Sequence, residues 1–336
     1  MRSDRILLAH GSGGTMMREL IDDIFVAGFA EDALKRLDDA ASLPFDGAKL
    51  AFSTDTYVVN PIFFPGGDIG RLAVCGTVND VATSGATPLY LSVGFILEEG
   101  FLVEDLRRIL VSMRDAAREA GVHIVTGDTK VVEKGHGDGV FINTAGVGAL
   151  AAGVDLSGSY CKPGDKVLLS GTLGDHGIAI VSTREGLEFS TDIKTDAAPL
   201  NALIANVLAA APDTRCFRDP TRGGLSSTLN ELAAASGVSI TVHETDVPVH
   251  PQVRGASEML GYDVFQVANE GKMAAVVPAE QAEAALAAMK ASPYGEDAAI
   301  IGEVAEGSPG KVYVHTAFGA TRIMDMLVGE QLPRIC

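Results

Sequence analysis

A two-domain α/β fold follows from three features of the sequence. It has 336 residues, too many for one ordinary core. Segments of strand and helix character alternate along it. A Gly- and Ser-rich stretch near the middle, residues 152–160, separates two such series. Domains are therefore expected over 1–155 and 156–322, followed by a tail over 323–336.

Composition narrows the functions available. Hydrophobic residues make up 47% and charged residues 21%, with no Trp, so the core must be built from small aliphatic side chains and the chain is not disordered. A formal net charge of -18 repels phosphate backbones and anionic lipid, which excludes nucleic acid and membrane surfaces as partners. No apolar run approaches the roughly 18 residues needed to span a bilayer, and the N-terminal segment is too short for a signal peptide, so a cytoplasmic protein is expected. Cys75, Cys161, Cys216 and Cys336 lack zinc or dithiol spacing and are expected to be reduced thiols.

The first domain opens with a strand over 6–9 and the turn His10-Gly11-Ser12-Gly13-Gly14. An amphipathic helix over 15–25 follows, with Met16, Leu20, Ile21 and Ile24 on its apolar side. A strand over 50–53 ends at Thr54-Asp55-Thr56. Small apolar residues at helical spacing predict a helix over 72–85, then a strand over 89–96 and a helix over 103–120 stopped by Gly121. A strand over 123–126 runs into Gly127-Asp128-Thr129-Lys130, and another covers 140–147. The second domain has a strand over 166–170, the segment Gly174-Asp175-His176-Gly177, and helices over 199–210, 225–235 and 279–291. The ending Leu332-Pro333-Arg334-Ile335-Cys336 has no regular period, and Pro333 disfavours helix and strand.

Several residues have the chemistry of a phosphate site. Asp55, Asp80 and Asp128 sit beside small or hydroxyl residues, and such carboxylates suit Mg²⁺ held against nucleotide phosphates, or else simple turns and caps. Gly11, Gly13 and Gly14 before a helix form a plausible anion nest. Lys130 and Thr129 lie in a glycine-bounded loop, while Glu270 and Lys272 pair a potential base with a cation. His10 and His176 lie among glycines that let a ligand approach closely. A Walker A sequence is absent, and Gly146-Val147-Gly148-Ala149-Leu150-Ala151 matches a dinucleotide fingerprint only in letters. Cys336 is either an incidental thiol or one that travels on a mobile tail into a cleft.

Taken together, the stretches 10–14, 53–55, 64–70, 76–80, 126–130, 174–177, 219–224 and 269–272 and the ending Pro333-Arg334-Ile335-Cys336 closely resemble the HypE family of hydrogenase maturation factors. The likeness spans nearly the whole chain, and the Pro-Arg-Ile-Cys ending is its most specific part. It implies the two-domain aminoimidazole ribonucleotide synthetase-like α/β fold, a homodimer paired through N-terminal sheets, and ATP with Mg²⁺ as cofactors. It also implies a carbamoyl group placed on Cys336 by HypF, its ATP-driven dehydration to a thiocyanate, and delivery of cyanide to iron on a HypC–HypD complex. On this likeness Asp55, Asp80 and Asp128 hold the metal, with Asp219 adding a metal or phosphate contact. Lys130 faces developing charge, and Glu270, then His10 and His176, are the bases. A kinase of a small free substrate and a nucleotide-sensing subunit are the competing readings; neither gives Cys336 a chemical role.

Overall fold

The structure, a computed structural model, describes residues 14–26, 36–45, 48–186, 193–327 and 332–336. The expected strand over 6–9 and His10, Gly11 and Gly13 lie outside the described residues. The helix after Gly14, α1 (Thr15–Leu20), continues as a π-helical turn over Ile21–Val26. None of the α1 side chains is buried in a core; Met17 and Ile21 instead face a cavity.

The first sheet contains β1 (Ala41–Phe45), β2 (Ala48–Tyr57), β5 (Ala86–Glu98), β6 (His123–Val132) and β7 (Val140–Leu150), in the order β1-β2-β7-β5-β6. A short hairpin, β3 (Phe63–Phe64) with β4 (Gly67–Asp68), leads into α2 (Ile69–Thr83). Asp68 caps α2 by accepting from the Gly70 and Arg71 amides, and nearly every residue of α2 is buried. A second helix, α3 (Val103–Ala120), packs on α2 and ends at Gly121 in the left-handed conformation, as the sequence predicts. These helices meet at Gly70, where a Cβ would stand 2.7 Å from the Ile109 carbonyl oxygen.

The strands run further than the hydrophobic pattern indicated. Asp55 lies inside β2, opposite Thr144, and Asp128 and Lys130 lie inside β6, opposite Gly94 and Ile96 of β5. Gly, Asp and Thr are weak or mixed strand formers, and sheet pairing overrides them here. The Gly146 and Gly148 positions fall in β7, where the sheet approaches Thr77 and Val81 of α2 too closely for a side chain. They serve packing, consistent with setting the fingerprint aside.

The second sheet has seven strands: β8 (Lys166–Leu169), β9 (Cys216–Arg218), β10 (Ser239–His243), β11 (Ala274–Val277), β12 (Ala299–Ala305), β13 (Lys311–His315) and β14 (Thr321–Ile323). Their order is β14-β13-β10-β12-β8-β11-β9. It carries α4 (Asp175–Arg184), α5 (Asn201–Ala210), α6 (Gly224–Ser236), α7 (Pro251–Leu260) and α8 (Ala282–Lys290). The expected helix over 279–291 is divided, its start being a 3-10 turn over Ala279–Gln281. Helix α4 escaped the sequence reading because it opens on Asp-His-Gly, a turn-like start whose helical state is fixed by burial on both sides.

The first-domain core does not stop at the first domain. Leu72, Cys75, Val78, Ile109 and Ile142 form one cluster with Ile180, Ala268, Ile335 and Cys336. Ile335 and Cys336 at the end of the tail are thus docked in this structure. Among the described residues no helix is long and apolar enough to cross a membrane.

Because the Gly70 contact is with main chain, Gly70→Ala should move the α2–α3 pair apart and cost about 1–3 kcal/mol, read as a lower urea midpoint with an unchanged slope. An unchanged midpoint would mean that the helices separate freely.

Candidate active site

A cavity of about 400 Å³ lies between the two domains. The first domain supplies Asp39, Asp55 and Asp80, and the second supplies Arg218, Asp219, Arg222, Glu231 and Glu270, with Cys336 on the same wall. Ser53 holds Asp80 with its hydroxyl 2.9 Å from Oδ2. Arg218 stands 3.0 Å from Asp39 and 2.8 Å from Glu231, and donates to the Leu37 carbonyl. The loop Asp219-Pro220-Thr221-Arg222 is pinned by Asn269, which donates to the Pro220 carbonyl and accepts from the Gly174 amide.

Carboxylates outnumber cations here, and the electrostatics follow. Burial pushes Asp39 up to about 6 against the pull of Arg218. Burial and then Asp39 push Asp219 up to about 8. Burial, with Asp219 and Asp55 adding repulsion, holds Asp80 and Glu270 well above the usual carboxylate range. Asp39 Oδ2 and Glu270 Oε1 are buried oxygens with no hydrogen-bond partner.

The chain ending enters this cavity along a path of main-chain bonds. The Val58 amide donates to a terminal main-chain oxygen of Cys336 at 3.0 Å, and the Asn60 amide to the Arg334 carbonyl at 3.2 Å. Arg184 donates to the Pro333 and Arg334 carbonyls at 2.7 and 3.0 Å. His176 Nε2 lies 2.7 Å from the Ile335 carbonyl, and its Nδ1 lies 2.7 Å from the Thr195 hydroxyl. Burial lowers the His176 pKa, so the ring is neutral, and bonding a carbonyl requires the proton on Nε2. Arg334, at φ 51°, donates to the Val58 carbonyl and pairs with Asp138. Ile335 is 1% exposed and Cys336 8%. Burial raises the Cys336 thiol far above its ordinary value, although the Arg222 guanidinium beside it opposes the shift.

Comparison with known proteins decides the family. Residues 37–150 match the AIR synthase related protein, N-terminal domain, and residues 162–315 match the corresponding C-terminal domain. The chain is 54% identical over 337 aligned residues to carbamoyl dehydratase HypE of Cupriavidus necator, covering 100% of this chain and 96% of the relative. The chain belongs to the HypE family. A solved HypE–HypF complex matches with TM-score 0.88 at 49% identity over 92% of this chain and 99% of the other. A solved hydrogenase maturation protein HypE in complex with ATP matches with TM-score 0.84 at 50% identity, over 99% and 100%.

In this HypE-family chain the structure gathers Cys336, Glu270, Asp55, Asp80, Asp219 and Gly14 around the cavity. It does not bring Asp128, Thr129 and Lys130 there. They lie on the edge strand β6, three strands from β2, about 14 Å across the sheet. Asp128 and Lys130 are exposed and paired at 2.6 Å. Asp55, Asp80 and Asp128 therefore do not converge on one metal within this chain. His176 is a tail anchor behind the cavity, not a group lining it. Lys272 points into a neighbouring cavity, 3.5 Å from Asp196, while the Asp196 carboxylate accepts from the Glu270 amide.

Sequence reasoning missed Asp39, Arg184, Arg218, Arg222 and Glu231. Arg222 stood inside a quoted motif without a role. The acidic pair Asp38-Asp39 before β1 was the available signal for Asp39; the others carry no local pattern.

The residues present fit Mg²⁺ and a nucleotide. Two orphaned carboxylate oxygens and the crowded aspartates are hard ligands short of positive charge. Among the described residues no three His, Cys, Asp or Glu side chains gather tightly enough to hold a metal alone. Mg²⁺ commonly completes its shell with phosphate oxygens and water, as this arrangement would require.

A carboxyl whose folded-state pKa is raised stabilises the fold fully below its unfolded value and loses that contribution as pH rises through the folded value. With Mg²⁺ removed, the melting temperature should therefore fall as pH rises from about 4 to about 8, with the Asp39 contribution lost by about pH 6 and the Asp219 contribution by about pH 8. Added Mg²⁺ should restore it, by more at the upper end, as calorimetry would show. A Mg²⁺ effect independent of pH would remove the aspartate cluster as its site.

Proposed function

We propose that Cys336 carries a carbamoyl group into the interdomain cavity and that the protein dehydrates it there to a thiocyanate at the expense of ATP. The activity is carbamoyl dehydration in hydrogenase maturation. The observation that carries the assignment of roles is the entry of Cys336 into the same cavity as Asp55, Asp80, Asp219 and Glu270.

An amide oxygen is a poor leaving group, and Mg-ATP supplies the phosphoryl group that makes it a good one. Asp55, Asp80, Asp39 and Asp219 would hold the metal and through it the phosphates. Arg222, beside the sulfur, is placed to meet charge on the carbamoyl oxygen. Glu270 accepts the N–H protons. Burial holds its pKa well above the usual carboxylate range, Asp219, Asp55 and Asp196 add repulsion, and a cation among the aspartates would oppose that repulsion, as Arg222 already does. The base would thus be armed by filling of the cavity. The docked tail excludes water, which would otherwise intercept the activated group.

Loading requires the opposite arrangement. A thiol 8% exposed and held protonated neither meets a transferase nor attacks an acyl group well. Transfer from HypF therefore takes place with the tail out of its groove, in the cytoplasm. Delivery to a HypC–HypD complex is placed in the same exposed state.

Homodimerisation is supported by apolar side chains left outside on the first sheet, including Phe52, Tyr90, Ile124, Val125 and Val131. A second copy covering them would bring the exposed Asp128–Lys130 pair of β6 into an interface.

Intact mass tests the reading. With HypF and its carbamoyl donor the chain should gain one carbamoyl, and Mg-ATP should then remove one water. Cys336→Ala should gain nothing. Glu270→Gln should gain the carbamoyl yet lose water at least ~100-fold more slowly. Dehydration at the normal rate by Glu270→Gln would exclude Glu270 as the base.

A further inference from the structure

Two thiols far apart in the sequence meet in the second domain. Cys161 Sγ lies 3.8 Å from Cys216 Sγ, and both residues are buried and unbridged. Cys161 sits between the turns at Gly158-Ser159 and Pro163-Gly164, on the wall of a cavity of about 660 Å³ lined also by Tyr160, Lys162 and Arg215. That cavity shares no lining residue with the one that receives Cys336. The pair is polarised. Contact with Cys216 holds the Cys161 thiol below its ordinary value, while the same contact and burial raise Cys216. Cys161 is therefore the readier thiolate, and it is the one that faces open space.

Each sulfur is tied to the wall of the active cavity. On the Cys161 side, the Gly158 amide and the Ser157 hydroxyl donate to the Asp38 carboxylate at 3.2 and 3.1 Å. On the Cys216 side, Arg218 lies two residues along β9 on the same face and pairs with Asp39 and Glu231. The two paths end on adjacent residues, Asp38 and Asp39, of one segment that lines the active cavity.

We propose that Cys161 and Cys216 form a reversible disulfide, and that closing the bond shifts the Asp38-Asp39 wall and weakens its hold on Mg-ATP. The oxidant is hydrogen peroxide. The Cys161 thiolate attacks one peroxide oxygen, the O–O bond breaks, and the departing hydroxide takes up a proton to leave as water, with Cys161 now a sulfenic acid. The Cys216 sulfur then bonds to the Cys161 sulfur as the S–O bond breaks, and the Cys216 proton leaves with that oxygen as a second water. Two thiols lose two electrons in all and one peroxide is reduced to two waters. A dithiol reverses the bond by exchange. The sulfurs close from 3.8 Å to about 2.0 Å, a movement that the Asp38 and Arg218 contacts must share. The effect on Mg-ATP rests on the function argued above; the bond itself does not.

The full-length chain, treated with hydrogen peroxide, alkylated in denaturant and digested, should yield the Cys161 and Cys216 peptides joined with the loss of two hydrogens. Dithiothreitol should separate them, and Cys161→Ser or Cys216→Ala should each abolish the link. Both thiols still open to alkylation, or either one linked to another cysteine, overturns the site. Coupling is read in the Cys336→Ala chain, where oxidation of Cys336 plays no part. There the bond should speed hydrogen exchange over residues 36–45 and weaken Mg-ATP binding by about tenfold, the effect of displacing one charged hydrogen bond. Dithiothreitol should reverse both changes, and adding Cys161→Ser should prevent them. A bond that forms while exchange over 36–45 stays the same overturns the coupling. If exchange responds but neither redox form binds Mg-ATP, the coupling stands and the failure lies in the nucleotide reading of the cavity.

Discussion

The architecture depends on how the main-chain oxygens of the last four residues are held. A reacting group on a chain end has every rotational freedom unless the main chain behind it is fixed, and here the carbonyls of Pro333, Arg334 and Ile335 and a terminal oxygen of Cys336 each meet a donor on the body. Arg184 makes two of these contacts, to the Pro333 and Arg334 carbonyls, and is itself fixed by donating to the Asn60 carbonyl of the body. The left-handed turn at Arg334 directs Ile335 into the core, and Cys336 follows into the cavity. The same burial that orients the sulfur suppresses its ionisation, so one position of the tail suits conversion of a carried group and another suits its loading.

Charge is the second constraint. Asp39, Asp55, Asp80, Asp219 and Glu270 share a cavity in which Arg218 is already committed to Asp39 and Glu231. Repulsion among them is unfavourable in the absence of a cation, and that makes the cavity selective for one. It also couples the proton on Glu270 to occupancy, since the carboxylates that attract a metal add their repulsion to the burial that already raises the Glu270 pKa. Readiness of the base and arrival of the nucleotide with its metal are parts of one electrostatic balance.

Position in the fold separates residues that sequence grouped together. The Asn269-Glu270-Gly271-Lys272 stretch divides its functions between two cavities. Asn269 ties loops together, Glu270 faces the sulfur, and Lys272 turns to Asp196 on the other side. Gly271 lies between them because its Cβ position would fall 1.8 Å from the Asp196 carbonyl oxygen. Asp128 and Lys130, similar in local pattern to Asp55, are carried to the opposite edge of the sheet.

The sequence by itself determined the α/β class, the helices that carry a strong period and a stop signal, such as Val103–Ala120 before Gly121, and the motif set ending in Pro-Arg-Ile-Cys. These are local properties: periodicity, glycine conformation and residue identity. Strand lengths through Asp55 and Asp128 were hidden because pairing partners lie dozens of residues away and override weak propensities. Only the tertiary structure decided that Asp39, Arg218 and Arg222 join the cavity, that His176 anchors the tail, and that Cys336 is buried. Each of those outcomes depends on contacts between segments far apart in the chain, whose distances no local spacing encodes.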